Sequence, residues 1–245
     1  MLYDSRELNT AKQAQSAVHQ YGRGGMLSEL YGVTGWEFDF RGHKLAGDWQ
    51  AALGVTVRVH HLTCSSMAGE AKRDYPASIG YQSPWYKEYP LIENYFSRLN
   101  TVLSRGKAVV KVGVIHPIES YWLYWGNKEQ TQGLRDEMDE RFKKLTEWLL
   151  FGQIDFDFIS ESLWKSQTPD DALLSDEAFF VGKVKYETIL VPNCLTLRSS
   201  TLERLKVFQK KGGRVVFLGE LPRFIDAVTR CQIRIFPKEK TWLLK

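Results

Sequence analysis

MLSELYG (26–32) and GVTVRVHHL (54–62) are the two stretches that decide how this 245-residue chain reads. Each is a short apolar run that ends in chemistry, a carboxylate (Glu29) in the first and a histidine pair (His60, His61) in the second. Gly42 to Leu53 lies between them and reads as a helix, with Leu45, Trp49 and Ala52 on one face and Gly54 closing it. A strand–helix–strand rhythm predicts parallel pairing through a right-handed crossover. Ahead of that helix stands WEFDF (36–40), a loop that mixes acids with aromatics. Polar groups gathered where apolar strands stop are how α/β barrels build active sites.

Working outward, Asp4 reads as an N-cap with Glu7 as its capping-box partner, and Ser5 to Tyr21 as a helix that carries Leu8, Ala11, Ala14 and Val18 at helical spacing. Gly22, Gly24 and Gly25 stop it. Thr63 to Tyr86 is long for a loop in a compact domain, so it either carries function or is tied down by its own side chains. Leu91 to Arg105 reads as helix. After Gly106 the character changes. AVVKVGVI (108–115), 155–159, 188–191 and RVVFL (214–218) read as buried strands, with helices over 133–151 and 201–211 between them and a small edge strand over 179–184. Repeated β-α-β units with short turns predict an open, doubly wound sheet beyond a boundary near Gly106.

Composition limits the function classes. Hydrophobic residues make up 43% and charged residues 25%, which suits a globular chain with a large core. The net charge of +4 is spread along the sequence, and the basic cluster Lys210, Lys211 and Arg214 falls at a helix end, so no nucleic-acid partner is expected. Cys64, Cys194 and Cys231 show no pairing pattern. The first residues carry no signal-peptide pattern and no apolar run reaches the ~20 residues of a membrane span, so a cytoplasmic protein without a membrane partner is expected.

Several residues are candidates for chemistry. Glu29 can serve as acid, base or nucleophile in glycoside cleavage, or simply as a salt-bridged strand-end residue. Glu37 and Asp39, interleaved with Trp36, Phe38 and Phe40, suit a sugar, whose C–H faces take aromatic rings and whose hydroxyls take carboxylates; a half-buried edge segment with solvated acids is the alternative. His60 and His61 point to opposite sides of a strand. Strict alternation groups His61 with Val55, Val57 and Val59, making it the choice over His60, although a satisfied core histidine explains it as well. No second ligand stands at metal spacing, so neither metal nor cofactor is expected. Arg73, Asp74, Tyr81 and Trp85 read either as a wall of a binding site or as clamps inside the long loop. Glu119 precedes Tyr121, Trp122 and Trp125, a patch that either closes over a ligand or packs at a domain junction. Cys194 reads as a plain buried cysteine, with a reactive thiol as the alternative. Dinucleotide-binding, P-loop and nucleophile-elbow patterns are absent from the sequence.

AQSAVHQYGRGGMLSELYG (14–32), GVTVRVHHL (54–62), KRDYPASIGYQSPWY (72–86) and ENYFSRLNTVLSRGKAVVKVGVIHPIESYW (93–122) together resemble the C-terminal portion of large bacterial glycoside hydrolases, especially the α-L-rhamnosidase-like enzymes of family 106 and relatives. In that family a helix ending in His-x-Tyr-Gly leads to a strand closing in Ser/Ala-Glu at the active-site mouth, which maps to Glu29. A later strand ends in a histidine that maps to His61, and the Pro-x-Ser and Pro-Trp run maps to Pro76, Ser78, Pro84 and Trp85. The remainder resembles, more loosely, the flavodoxin-like (glutamine-amidotransferase-like) domain that follows the barrel in these enzymes and in family 42 β-galactosidases, where it is usually noncatalytic.

The resemblance implies an α/β chain in which a partial (β/α) barrel segment (1–105) precedes a doubly wound flavodoxin-like parallel-sheet domain (106–245). It implies a carbohydrate substrate bearing a terminal deoxyhexose or hexose, with Glu29 catalytic and Trp36, Glu37, Asp39, His61, Arg73, Asp74, Tyr81, Trp85 and Glu119 binding substrate. A full (β/α)₈ barrel takes about 250 residues. The first segment holds two or three of its strands, so a fragment poorly active alone is expected, completed by an upstream region or a homo-oligomer. A noncatalytic assembly module is the alternative.

Overall fold

The computed structural model describes residues 5–73, 77–170, 172, 178–230 and 241–244. The chain forms two compact units. The first comprises Met1–Glu7 and Arg23–Lys107, the second Leu8–Gly22 and Ala108–Lys245. Helix α1 (Ser5–Tyr21) therefore groups almost wholly with the second unit, whereas a division at 105/106 leaves it in the first. Asp4, expected as its N-cap, lies outside the described residues.

In the first unit, strands β1 (Met26–Leu30) and β2 (Val55–His60) pair in parallel through the crossover helix α2 (Phe40–Ala52), as expected from the apolar runs. Helix α3 (Pro90–Leu103) begins with proline at its first turn, where no backbone donor is lost. Phe96 of α3 is fully buried and lies over Gly47 of α2, where a Cβ would come within 2.1 Å of its ring. Any larger side chain at Gly47 would push the two helices apart.

The faces of β2 differ from the alternation read in the sequence. The register shifts by one residue between Met26, opposite Val55, and Leu27, opposite Val57. This bulge puts Val55 on the covered face at 1% exposure and leaves Val57 at 46% and Val59 at 39% on the open one, beside Leu27. The valine row expected to be the inner, buried one is thus mostly uncovered. Arg58 and His60 point to the helix-covered side instead.

The second unit is built on a five-stranded parallel sheet of β3 (Val112–Ile115), β4 (Phe156–Ile159), β7 (Thr188–Val191), β9 (Arg214–Leu218) and β12 (Thr241–Leu244). Their order across the sheet is β4-β3-β7-β9-β12, which is 2-1-3-4-5 in chain order. Helix α4 (Ile118–Leu123) and helix α5 (Lys128–Phe151) lie between β3 and β4, and α7 (Ser199–Lys210) between β7 and β9, with the short α6 (Trp164–Gln167) after β4. Asn127 caps α5, which starts earlier than the apolar spacing indicated. The edge strand expected over 179–184 is a hairpin of β5 (Phe179–Val181) and β6 (Val184–Tyr186). The short strands β8 (Thr196–Leu197), β10 (Phe224–Ile225) and β11 (Thr229–Arg230) form a small sheet.

Successive strand residues serve two separate cores. Ile115, Ile159, Ile189, Val191, Val215 and Phe217 pack with Leu202, Leu205 and Phe208 of α7. Val114, Phe156 and Phe158 pack with Leu145 and Leu149 of α5. Burial on both faces is why these strands read as unbroken apolar runs.

Strand β4 is the sheet's edge, and α1 covers it. The Phe158 N–H donates to Ser16 Oγ (2.8 Å) and Gln20 Nε2 donates to the Phe158 carbonyl (2.8 Å). Asp157, fully buried, accepts from His19 Nδ1 (2.9 Å) and from the Tyr186 hydroxyl (2.9 Å). The Gln20 carbonyl at the helix end accepts from the Lys183 N–H (2.9 Å), and the hairpin approaches so closely that a Cβ on Gly182 would lie 2.1 Å from that oxygen. The buried stripe of α1 consequently includes Lys12, Ser16 and Gln20 besides Leu8 and Ala11.

Replacing Ser16 by alanine leaves the buried Phe158 N–H without an acceptor. The expected cost is about 1–3 kcal/mol. A urea titration should show the lowered midpoint, and hydrogen exchange at the Phe158 amide should accelerate; unchanged exchange would contradict the edge-capping role of α1.

Candidate functional site

The carboxyl ends of β1 and β2 bring together Glu29 and His61. Glu29 stands opposite Val59 and is exposed. The ladder runs one residue beyond β2, because the His61 N–H donates to the Leu30 carbonyl (2.8 Å). Alternation from Val59 then sets His61 on the same open face as Glu29. Strand spacing and rise place their α-carbons about 8 Å apart. The His61 ring lies against Gly32, where a Cβ would be 3.3 Å from Cδ2, and its Nδ1 is buried with no hydrogen-bond partner among the described residues. Beyond β1 the chain turns through left-handed conformations at Tyr31 (φ 68°) and Val33 (φ 55°), an uncommon arrangement away from glycine.

His60 works on the other face. Arg58 Nη2 donates to Glu93 Oε2 (2.9 Å) and Nη1 to the Tyr31 hydroxyl (3.0 Å), while His60 Nε2 lies 3.0 Å from Glu93 Oε1. The rings of Tyr31, His43, His60 and Tyr89 close around this group. The hydrogen bond from His60, aided by the Arg58 charge, holds the Glu93 carboxyl below the usual range. Burial lowers His43 and raises the Tyr31 and Tyr89 hydroxyls. The network ties β2 to α3. Sequence reasoning missed Glu93, and its one signal was an arginine inside an otherwise apolar strand.

The other expected residues are more dispersed. Trp36 is half-buried. The Glu37 carboxylate folds back over Gly35. Asp39 caps α2, accepting from the Arg41 and Gly42 N–H groups (3.0 and 3.2 Å). Arg73 is exposed and pairs with Glu70 at 3.6 Å; Asp74 lies outside the described residues. The Tyr81 hydroxyl donates to the Ser65 carbonyl, and Trp85 Nε1 donates to the Ser78 carbonyl (2.9 Å) with its ring edge-on to Phe40. Tyr81 and Trp85 therefore clamp the long loop from within.

A second polar centre lies in the other unit, past the carboxyl ends of β3, β4 and β7. Glu119 accepts from Arg198 Nε (2.7 Å), and Glu161 accepts from the Arg198 N–H (2.9 Å) ahead of α7. Ser120 Oγ accepts from the Leu195 and Thr196 N–H groups. Burial pushes Glu161 up to about 7. Burial, and then the negative charge of Glu161, push the Cys194 thiol well above its ordinary range. At 2% exposure and with its thiolate disfavoured, Cys194 is poorly suited to be a nucleophile. The aromatic patch beyond Glu119 is open, with Trp122 at 60% and Trp125 at 68% exposure. Among the described residues no cluster of three or more His, Cys, Asp or Glu side chains could hold a metal, and no helix is long and apolar enough to cross a membrane.

The chain matches no known family model and no curated protein. Solved structures share its fold. A catalytic mutant of a GH42 beta-galactosidase from G. stearothermophilus superposes with a TM-score of 0.60 at 12% identity, over 93% of this chain and 31% of that one. A rhamnosidase from Novosphingobium sp. PP1Y gives 0.57 at 15% identity, over 91% and 20%. A beta-galactosidase from Bacillus circulans sp. alkalophilus gives 0.55 at 16% identity, over 89% and 32%. The chain thus has a fold like part of these glycoside hydrolases and spans a third or less of their length.

Glu161 supplies a pH test. Its folded value of about 7 exceeds the ordinary 4.5, so the folded state holds the proton more tightly than the unfolded chain. The associated stabilisation is complete below about pH 4.5 and is lost as the pH rises towards about 7. Glu161→Gln should flatten this part of the stability profile and be up to about 3 kcal/mol more stable than the parent at pH 8. Urea titrations at pH 5 and pH 8 measure both; an unchanged profile would contradict the buried-acid assignment.

Proposed function

We propose that the first unit is the closing part of a glycoside hydrolase (β/α) barrel, with Glu29 as one of its catalytic carboxylates. The observation that carries this reading is the placement of Glu29 and His61 on one open face at the carboxyl ends of two parallel strands. In a closed barrel that face, with Leu27, Val57 and Val59, becomes the interior, and its carboxyl-end rim is where such barrels hold their chemistry. The fold shared with beta-galactosidases and a rhamnosidase supports the same assignment.

Glycoside cleavage commonly sets two carboxylates about the scissile bond, about 5 Å apart when configuration is retained and wider when it is inverted. Glu29 supplies one, and the other comes from barrel strands outside this segment. His61 and Trp36 contact the sugar, with Glu37 and Arg73 at the periphery. Tyr81, Trp85 and Asp39 shape the walls from their structural positions. The substrate carries a terminal deoxyhexose or hexose, as in the α-L-rhamnosidase-like enzymes. The second unit is a flavodoxin-like domain that serves assembly, with Glu119 near its exposed aromatic rim. A wholly noncatalytic assembly module is the competing reading, favoured by the single carboxylate on the open face of the two strands.

The test joins this chain to an upstream segment that supplies the remaining strands and assays aryl rhamnosides and galactosides. Glu29→Gln should lower kcat by about a thousandfold, or about 4 kcal/mol of barrier. Because Glu29 is exposed, the unfolding midpoint should hardly move. Full activity in the variant would remove Glu29 from the chemistry.

A further inference from the structure

Trp122 and Trp125 are open side chains three residues apart, and one of them is held in place. The guanidinium of Arg135, a residue only 7% exposed, lies 4.5 Å from the ring centroid of Trp125 and donates to Gln132 Oε1 (3.0 Å). One face of the indole is therefore backed by a fixed planar cation, while the side chain stays 68% exposed. Tyr121 flanks the same ring at 6.1 Å, and its hydroxyl donates to Asp139 (3.4 Å). Asp136 and Asp139 add negative charge, and partial burial raises the Asp139 carboxyl. A fixed indole with carboxylates and an amide beside it is a preorganised surface, which lowers the ordering cost of binding.

We propose that Trp125, with Trp122, Tyr121 and Asp139, forms a second carbohydrate-binding site, a platform on which a neutral pyranose ring stacks. Size argues for a small ligand. Two indoles of about 250 Å² each, some two-thirds exposed, offer roughly 300 Å², well short of the ~800 Å² per partner of a stable protein interface. Charge argues for a neutral one, since Asp136 and Asp139 repel phosphates and nucleotides. A pyranose meets both conditions: its axial C–H face covers the ring and its hydroxyls donate to Asp139 and Gln132. The site is independent of Glu29.

The test is an NMR titration of the whole chain, labelled with ¹⁵N-tryptophan, with a β-1,4-linked galactotetraose. Trp122→Phe and Trp125→Phe assign the two indole N–H signals. Both should shift saturably with a millimolar dissociation constant. Trp125→Ala should weaken binding at least tenfold, and Trp125→Phe, which keeps a ring, by less. Adenosine monophosphate should leave both signals still, and Glu29→Gln should leave the platform shifts intact. Three results would overturn the platform: no movement of the two signals, movement confined to the other six tryptophans, or concentration-dependent shifts without sugar, which would mark self-association. The first unit's site stands or falls separately, on activity in the joined chain.

Discussion

The second unit depends on how the edge of its sheet is satisfied. Strand β4 pairs on one side with β3 and on the other meets a helix rather than another strand. Helix α1 offers Ser16 and Gln20, which take up the Phe158 N–H and carbonyl. An open edge of this kind would otherwise be a template for another chain. The same contact explains the buried charge on Asp157, which is tolerable only because His19 and Tyr186 bond to it. Helix, edge strand and hairpin lock one another, and the hairpin's Gly182 lets it reach the helix end.

The first unit solves a different problem. Two parallel strands make a small sheet, and its helix-covered face carries polar side chains. Arg58 and His60 are accommodated there because Glu93 answers both and Tyr31 takes a further guanidinium bond. With one face closed by a charge network, the opposite face is left with Leu27, Val57 and Val59 in the open and Glu29 among them. Exposed apolar strand residues around a carboxylate are an unusual surface for a domain to present to water. This uncovered face is the physical basis of the proposal that the two strands belong to a larger parallel barrel.

The site was partly legible in the sequence. Glu29 and the histidine pair stood out because polar groups ended apolar runs, and His61 was chosen over His60 as the continuation of the valine row; the ladder sets His61 on the face of Glu29. The reason for that choice was incomplete, since Val55 does not share the face of Val57. Asp39 reads identically as a sugar ligand and as a helix cap; its two bonds to α2 backbone N–H groups appear only in three dimensions. Tyr81 and Trp85 have the composition of a binding wall, yet their polar atoms serve the loop's own carbonyls.

Spacings of two and 3.6 along the backbone were enough to indicate the main helices and strands, the parallel βαβ unit and the β-α alternation after Gly106, but not the short strands β8, β10 and β11, the edge strand β12 or the side on which Val55 lies. Tertiary structure alone decided which face of β2 is covered, since a one-residue bulge reverses faces without altering composition. It alone paired α1 with a strand some 140 residues away, since a strand's edge donors and acceptors are backbone atoms that every sequence shares. It alone gave Arg58 and Asp157 their partners, because a buried charge is matched by whatever the fold brings within 3 Å.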